Sequence, residues 1–134
     1  MAVEIFEQLA NDGHSDSQYW IGEHYSRSWE ACRDQTKAFK WFSASADQGN
    51  SYGEFKVAEC YYYGTAVASD EDKAVEWYRK SAEQGNRKAQ YELGDLYLMG
   101  MSIPKDRNAA AEWFLKSAAQ NYTPAFSRIE SLGL

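Results

Sequence analysis

The sequence has few of the residues that metal or redox chemistry requires. Its 134 residues include two cysteines and two histidines, and these do not form a CxxC or HxxxH spacing. A zinc site needs three or four such ligands, and a disulfide scaffold needs several regularly placed cysteines. The composition therefore predicts no metal site, no cofactor and no disulfide framework, and it favours a reducing, cytoplasmic environment.

Long apolar runs and an excess of basic residues are also missing. Mean hydropathy is −0.69, and no stretch approaches the roughly 20 apolar residues of a membrane helix. The first seven residues have no basic region ahead of their apolar ones, so we expect no secretory signal. The chain has 14 basic and 20 acidic residues, which gives a net charge of −6. This balance disfavours nucleic acid and favours a basic protein partner.

The sequence does contain a repeat of 36 residues. Segment 74–86 recurs at 38–50 and at 110–121, and seven positions are identical in all three copies. A fixed period of roughly 20–50 residues is typical of stacked repeats. The identical positions are Tyr25/Tyr61/Tyr97, Asp34/Asp70/Asp106, Ala38/Ala74/Ala110, Trp41/Trp77/Trp113, Ser45/Ser81/Ser117, Ala46/Ala82/Ala118 and Gln48/Gln84/Gln120.

Each repeat has the pattern of two helices. Asp70 is placed to cap the second helix of the middle copy, and Gly85 is placed to end it in a left-handed conformation. The small residues Gly94 and Ala110 predict a close approach of the paired helices, with Trp113 filling the space between layers. One face of the second helix in the middle copy carries residues spaced as in an amphipathic helix, namely Ala74, Trp77, Tyr78, Ser81 and Ala82.

The phase of the repeat predicts a single domain over residues 1–134, with eight helices and no strands. Its predicted parts are an N-terminal half repeat (2–13), three repeats (14–49, 50–85 and 86–121) and a C-terminal capping helix (122–134). The predicted loops are 12–14, 28–34, 48–50, 64–70, 84–86, 100–106 and 120–122.

The motifs of the third copy resemble the Sel-1-like repeat, a relative of the tetratricopeptide repeat. They are Ala-Gln-Tyr-x-Leu-Gly-x-x-Tyr-x-x-Gly at 89–100, Ile103-Pro104-x-Asp106, and Ala-x-x-Trp-Phe-x-x-Ser-Ala at 110–118. The resemblance covers nearly the whole chain. It implies an all-α, right-handed α-solenoid of antiparallel helix pairs that binds proteins as an adaptor or scaffold.

The first helices of the repeats carry candidate partner-binding residues. Glu23, Glu59 and Asp95 are spaced 36 residues apart, and the resemblance implies that they line a concave groove. We hypothesise that this acidic row attracts a basic segment while an adjoining apolar patch anchors it. The alternative is an ordinary solvated face of an acidic chain. The predicted patch consists of Tyr62, Tyr63, Leu98 and Met99.

Two tryptophans fall outside the repeated aromatic positions and are further candidates for binding. Trp20 aligns with charged residues of the other copies, and Trp29 lies in the divergent loop of the first copy. Aromatic residues are enriched at the centres of protein interfaces. The alternative for Trp29 is packing over its own loop.

Three classes of function are compared. The first is a non-catalytic module that binds a basic, partly apolar protein, as an adaptor or as an inhibitor or immunity protein of a toxin or effector. The second is head-to-tail self-assembly through the two end helices, although a monomer is the simpler expectation. The third is a hydrolase, as proposed for cysteine-rich relatives. It is disfavoured because Cys32 and Cys60 do not recur with the period and no catalytic group converges.

Overall fold

The structure, a computed structural model, describes residues 2–27, 34–100 and 102–133. Within these ranges it has eight α-helices and no strands, as predicted from the sequence. Trp29, a candidate binding residue in the sequence, lies outside the described residues. The helices are α1 (Ala2–Asn11), α2 (Ser15–Arg27), α3 (Gln35–Asp47), α4 (Ser51–Tyr63), α5 (Glu71–Glu83), α6 (Arg87–Met99), α7 (Arg107–Ala119) and α8 (Thr123–Ser131).

The repeated aspartates and the turn residues set the helix ends. The Asp70 side chain accepts a hydrogen bond from the Lys73 backbone N–H at 3.1 Å, which satisfies one of the unpaired donors of the first turn of α5. Asp34 and Asp106 cap α3 and α7 in the same way. Beyond the other end of α5, Gly85 has a φ of +97°, and Asn121 takes the equivalent place after α7 with a φ of +62°. The predicted caps are therefore confirmed.

Consecutive helices pack against one another along the chain, so that the helix pairs stack into a solenoid. A glycine allows a close approach between α6 and α7, as it does between α2 and α3. A Cβ added to Gly94 would lie 2.8 Å from Cε1 of Phe114, and the side chain of Phe114 is completely buried. The aromatic residue after the tryptophan, rather than the tryptophan itself, is therefore the most deeply buried ring of each pair.

The tryptophans instead connect neighbouring pairs. Trp77 is half-buried and packs against two core clusters, one centred on Phe42 and Val57 and the other on Tyr78 and Leu93. Its outer face is covered by the Lys80 ammonium group, 4.2 Å from the ring centroid. Trp113, for which the sequence predicted this role, packs against the cluster of Tyr78 and Leu93.

The repeated serine and glutamine side chains join the two helices of each repeat. Ser81 Oγ donates to the backbone carbonyl of Ser51 at 2.7 Å, and Ser45 and Ser117 make the equivalent bonds. Gln48 and Gln120 donate in turn to the side chains of Gln18 and Gln90. The three serines are buried, as are Gln18 and Gln90, which the glutamines contact. Because buried polar groups need partners, these bonds explain why the serine and glutamine positions are identical in all copies.

Candidate functional site

The candidate site lies on the face formed by the first helices α2, α4, α6 and α8, called here the first-helix face. Ion pairs join these helices side by side. Lys56 Nζ on α4 lies 3.1 Å from Glu23 on α2, and Arg128 Nε on α8 lies 3.0 Å from Asp95 on α6. The three predicted acids, Glu23, Glu59 and Asp95, therefore form a row across this face.

All three acids are paired with basic side chains: Glu59 lies 3.4 Å from Lys56, and Glu23 and Asp95 are held more closely. Glu23 is only 3% exposed, and its carboxylate contacts both Lys56 and Arg27, the latter at 2.8 Å. Asp95 is mostly covered and is paired with Arg128. Burial raises the pKa of the Asp95 carboxyl group, and Arg128 opposes that rise. Neither Glu23 nor Asp95 is therefore a freely available surface charge.

The basic residues Lys56 and Arg128 of these ion pairs occupy equivalent positions in the repeat. Residues 56, 92 and 128 are spaced 36 apart and follow Trp20 in the same alignment. Lys56 lies between two acids, 3.1 Å from Glu23 and 3.4 Å from Glu59. Burial alone would lower the pKa of Lys56, but Glu59 and Glu23 outweigh burial and raise it.

Of the three equivalent positions 56, 92 and 128, the middle one holds an acid and the other two hold basic residues. Residue 92 is Glu92, and among the described residues no basic group lies within salt-bridge distance of it. Burial, followed by the charges of Asp95 and Glu59, raises the pKa of Glu92 to about 7, with Arg128 acting in the opposite direction. Glu59 and Glu92 are called here the acidic pair: Glu59 contacts Lys56 on its own helix, but position 92 supplies no cation between Glu59 and Asp95.

Of the predicted apolar patch, Tyr63 and Met99 are the exposed members, at 67% and 51%. Tyr63 stacks edge-on against Tyr62 with 4.9 Å between ring centroids. Tyr62 in turn packs onto the buried Tyr78, and Leu98 packs onto the core near Phe114. Tyr63 lies one helical turn after Glu59 on α4, and burial and then Glu92 raise the pKa of its hydroxyl. Tyr62 and Leu98 therefore contribute less exposed surface to the patch than Tyr63 and Met99 do.

Trp20 is 54% exposed and belongs to a cluster that the sequence alone did not reveal. Its ring packs edge-on against Tyr19, with 5.4 Å between centroids, and Tyr19 packs against Tyr52 at 5.5 Å. A hollow of about 370 Å³ is lined by Asp16, Tyr19, Trp20 and Tyr52. Tyr52 is aligned with Asp16, Lys88 and Pro124, so the criterion that selected Trp20, an aromatic at a non-aromatic repeat position, would also have selected Tyr52.

Cys60 lines a hollow on this face together with Lys56, Glu59 and Tyr63. The Cys60 thiol is buried, which raises its pKa to about 11, so it is protonated at neutral pH. No group of three or more histidine, cysteine, aspartate or glutamate side chains in the described ranges could hold a metal ion. No helix in those ranges is long and apolar enough to cross a membrane.

Apolar side chains are also exposed on the end helices. Ile5 and Leu9 of α1 and Phe126 of α8 are the largest of these. They are the residues that head-to-tail assembly would cover, and this assembly stays a prediction.

The stacked helix pairs define a helical-repeat protein of the solenoid class. Three Sel1 repeats match the chain, at residues 15–50, 51–86 and 87–122. The chain therefore belongs to the Sel1 repeat family. Sel1 repeats are generally a non-catalytic fold that binds protein partners.

Solved structures agree with this assignment. A Sel1 repeat protein from Oxalobacter formigenes is 28% identical with a TM-score of 0.87, covering 97% of this chain and 98% of that one. The protective antigen c5321 of uropathogenic Escherichia coli, with an SLR fold, is 31% identical with a TM-score of 0.89, covering 98% of this chain and 28% of that one.

A more distant structure is the immunity protein Pa5087 of Pseudomonas aeruginosa, which is 18% identical with a TM-score of 0.52. It covers 92% of this chain and 59% of that one, and at this identity it supports the fold alone. No curated protein matches the sequence closely enough to count as a relative.

Proposed function

We propose that this protein is a non-catalytic module that binds a basic, partly apolar segment of another protein on its first-helix face. The observation that carries the proposal is the acidic pair, Glu59 and Glu92, at a place where the neighbouring repeats have an ion-paired cation. A lysine or arginine side chain of the partner would supply the missing positive charge.

The energetics favour a cation from outside the chain. Glu92 is partly buried beside two other acids, which is unfavourable for its charged form. A partner cation placed between Glu59 and Glu92 would remove this repulsion and would form charge-assisted hydrogen bonds, which are stronger than neutral ones. The acidic pair therefore gains more from a basic ligand than a fully exposed carboxylate would.

The neighbouring apolar surface suits the rest of such a segment. Tyr63 is exposed one helical turn after Glu59 on α4, Met99 is exposed at the end of α6, and aromatic residues and methionine are enriched at interfaces. Tyr63 is held in place by Tyr62, so little side-chain entropy is lost when a ligand covers it. An apolar side chain next to the partner's basic residue would pack here.

An acidic surface of this kind fits two roles in a cell. In one, the protein is an adaptor that holds a partner's basic segment. In the other, it is an inhibitor or immunity protein that masks a basic toxin or effector, and the net charge of −6 supports this role through rapid electrostatic association. We place it in the cytoplasm as a monomer in both roles.

Selection of random peptides of about a dozen residues against the wild-type protein tests the proposal without a known partner. We expect enriched peptides to carry a lysine or arginine beside an apolar residue. The best peptide should bind Glu92→Lys at least about tenfold more weakly, a loss of about 1.4 kcal/mol or more, by isothermal titration calorimetry.

The matched control is Glu76→Lys, which makes the same charge change at an exposed position of α5. Its affinity for the same peptide should stay within about twofold, because long-range effects of net charge are screened by salt. Enriched peptides without a basic residue, or equal losses in both variants, would contradict the proposal.

A further inference from the structure

The hollow beside Trp20 has the composition of a site for a cationic side chain. Two tyrosines and one tryptophan provide aromatic faces, and Asp16 provides a carboxylate. Cations bind over aromatic faces within about 6 Å of the ring centroid, and tryptophan is the best of the three rings. Aromatic rings combined with one carboxylate match the needs of a guanidinium or ammonium group more closely than those of an anion or a purely apolar group.

The other described tryptophans show why Trp20 is different. Lys80 lies 4.2 Å from the Trp77 ring centroid, Lys116 lies 4.4 Å from Trp113 and Lys40 lies 5.9 Å from Trp41. In the part of the chain that the structure describes, no lysine or arginine is within about 6 Å of the Trp20 ring. The tryptophan without its own cation is thus the one that lines an open hollow.

Two basic side chains that act on Tyr19 are paired with acids of the chain. Burial and then Glu23 raise the pKa of the Tyr19 hydroxyl, and Lys56 and Arg27 oppose that rise. Lys56 is held by Glu23 and Glu59, and Arg27 is held by Glu23. Filling the hollow with either residue would break these pairs.

Asp16 is held in position for a ligand. Asn50 Nδ2 donates to Asp16 Oδ1 at 2.6 Å, and the Asn50 side-chain oxygen caps α4 by accepting from the Tyr52 backbone N–H at 3.0 Å. One residue therefore fixes both the carboxylate and the start of the helix that carries Tyr52. Among the described residues, none donates a hydrogen bond to the second carboxylate oxygen, Oδ2, which leaves it available as an acceptor.

We propose that the hollow formed by Asp16, Tyr19, Trp20 and Tyr52 binds an arginine side chain of the protein partner. The planar guanidinium group stacks on aromatic rings and donates hydrogen bonds to Asp16, a combination that arginine makes better than lysine. This inference rests on the proposed function for the source of the arginine, and it adds a second anchoring point at the α2 end of the first-helix face.

The test titrates the protein with the peptide acetyl-Gly-Arg-Gly-amide and follows the indole N–H signal of Trp20 by NMR. The matched probe is the same peptide with citrulline, which has nearly the same shape without the charge. We expect saturable shifts of the Trp20 signal with a Kd on the order of 1 mM for arginine. Citrulline should bind at least about tenfold more weakly, and lysine should also bind more weakly than arginine.

Variants separate this site from the acidic pair. Tyr52→Ala should weaken binding of the arginine peptide about fivefold or more at the Trp20 signal, and Trp20→Ala should remove the peptide-induced shifts of the Tyr19 and Tyr52 ring signals. Tyr63→Ala, an exposed aromatic on the same face, should leave binding within about twofold. Glu92→Lys should also leave it intact, so the hollow can be confirmed even if the proposed function fails.

Equal shifts with arginine and citrulline, tighter binding of lysine than of arginine, or no shift at Trp20 at several times the expected Kd would overturn the inference. Any of these results would leave the proposed function standing, because that function is tested separately by Glu92→Lys with selected peptides.

Discussion

At the scale of the single residue, Glu92 has the most unusual environment on the first-helix face. It occupies the position at which the adjacent repeats carry Lys56 and Arg128, and both of those cations are ion-paired. Burial and the nearby acids Asp95 and Glu59 raise its pKa to about 7. A carboxyl group with this pKa changes charge in the physiological range, so both stability and binding should depend on pH through this residue.

Stability should fall as the pH rises through the pKa of Glu92. The folded state holds the proton more tightly than the unfolded state, whose glutamate pKa is about 4.3. The stabilisation from protonation is therefore fully present below about pH 4 and is lost as the pH passes about 7. The unfolding free energy of wild type relative to Glu92→Gln should drop by about 1–2 kcal/mol between pH 5 and pH 8, as measured by urea unfolding.

The difference in unfolding free energy between wild type and Glu92→Gln isolates the contribution of Glu92 to the pH dependence. Burial also raises the pKa of Glu54, but this group is common to both proteins and cancels in the comparison. Binding of a selected basic peptide should change in the opposite direction, becoming tighter from pH 6 to pH 8 in wild type because the charged carboxylate binds the cation. A pH-independent difference between wild type and Glu92→Gln would mean that Glu92 titrates normally.

At the scale of the helix, the repeated small residues set how closely two helices approach. Gly94→Ala would place a methyl group within 3 Å of the buried Phe114 ring. Overpacking of a core costs about 1–3 kcal/mol, while the better helix propensity of alanine recovers about 1 kcal/mol. We therefore expect a net loss of about 1 kcal/mol in unfolding free energy, measured by chemical denaturation.

A second substitution serves as the control for this packing argument. In a Phe114→Leu background the ring is gone, so Gly94→Ala should become neutral or stabilising. The two substitutions should thus be non-additive, as expected for residues in direct contact. Additive effects would mean that the ring of Phe114 does not limit the approach of α6 and α7.

The sequence was sufficient to predict the helices and their ends. The period of 36 residues aligned the caps, so Asp70 and Gly85 could be assigned from the repeat pattern alone. It was not sufficient to rank the aromatic rings by depth. Trp77 and Tyr78 lie next to each other on a helix and both recur in every copy as aromatic positions, and only the three-dimensional packing puts Tyr78 in the core and leaves Trp77 half-buried.

At the scale of the whole molecule, stability depends on contacts between successive helix pairs, because distant repeats do not touch. Trp77 packs against the core clusters on both sides of it. Trp77→Ala should therefore cost about 3 kcal/mol, a large share of a typical total of about 5–15 kcal/mol. Thermal and urea unfolding would measure this loss of stability.

Trp20→Ala is the matched control, since it removes the same side chain from a more exposed position. Its cost should stay below about 1 kcal/mol. Equal losses for the two variants would contradict the assignment of Trp77 as the link between layers.

The binding face could be predicted only in part. The spacing of Glu23, Glu59 and Asp95 placed them on one face, because a period of 36 carries over directly into neighbouring repeats. The ion pairs could not be predicted, since Lys56 contacts an acid 33 residues earlier through side-chain conformations that the sequence does not specify. The same limit applies to the hollow at Trp20, where Tyr19 and Tyr52 come from different helices.

The most direct test of the central claim, that position 92 lacks a cation which the partner supplies, is to measure folding stability and peptide binding for Glu92→Lys. A lysine at this position would repeat the arrangement of Lys56 between two acids. We predict an unfolding free energy higher than that of wild type by about 1 kcal/mol at pH 7.5, together with at least about tenfold weaker binding of the selected basic peptide. A variant that is less stable than wild type, or one that binds the peptide equally well, would contradict the claim.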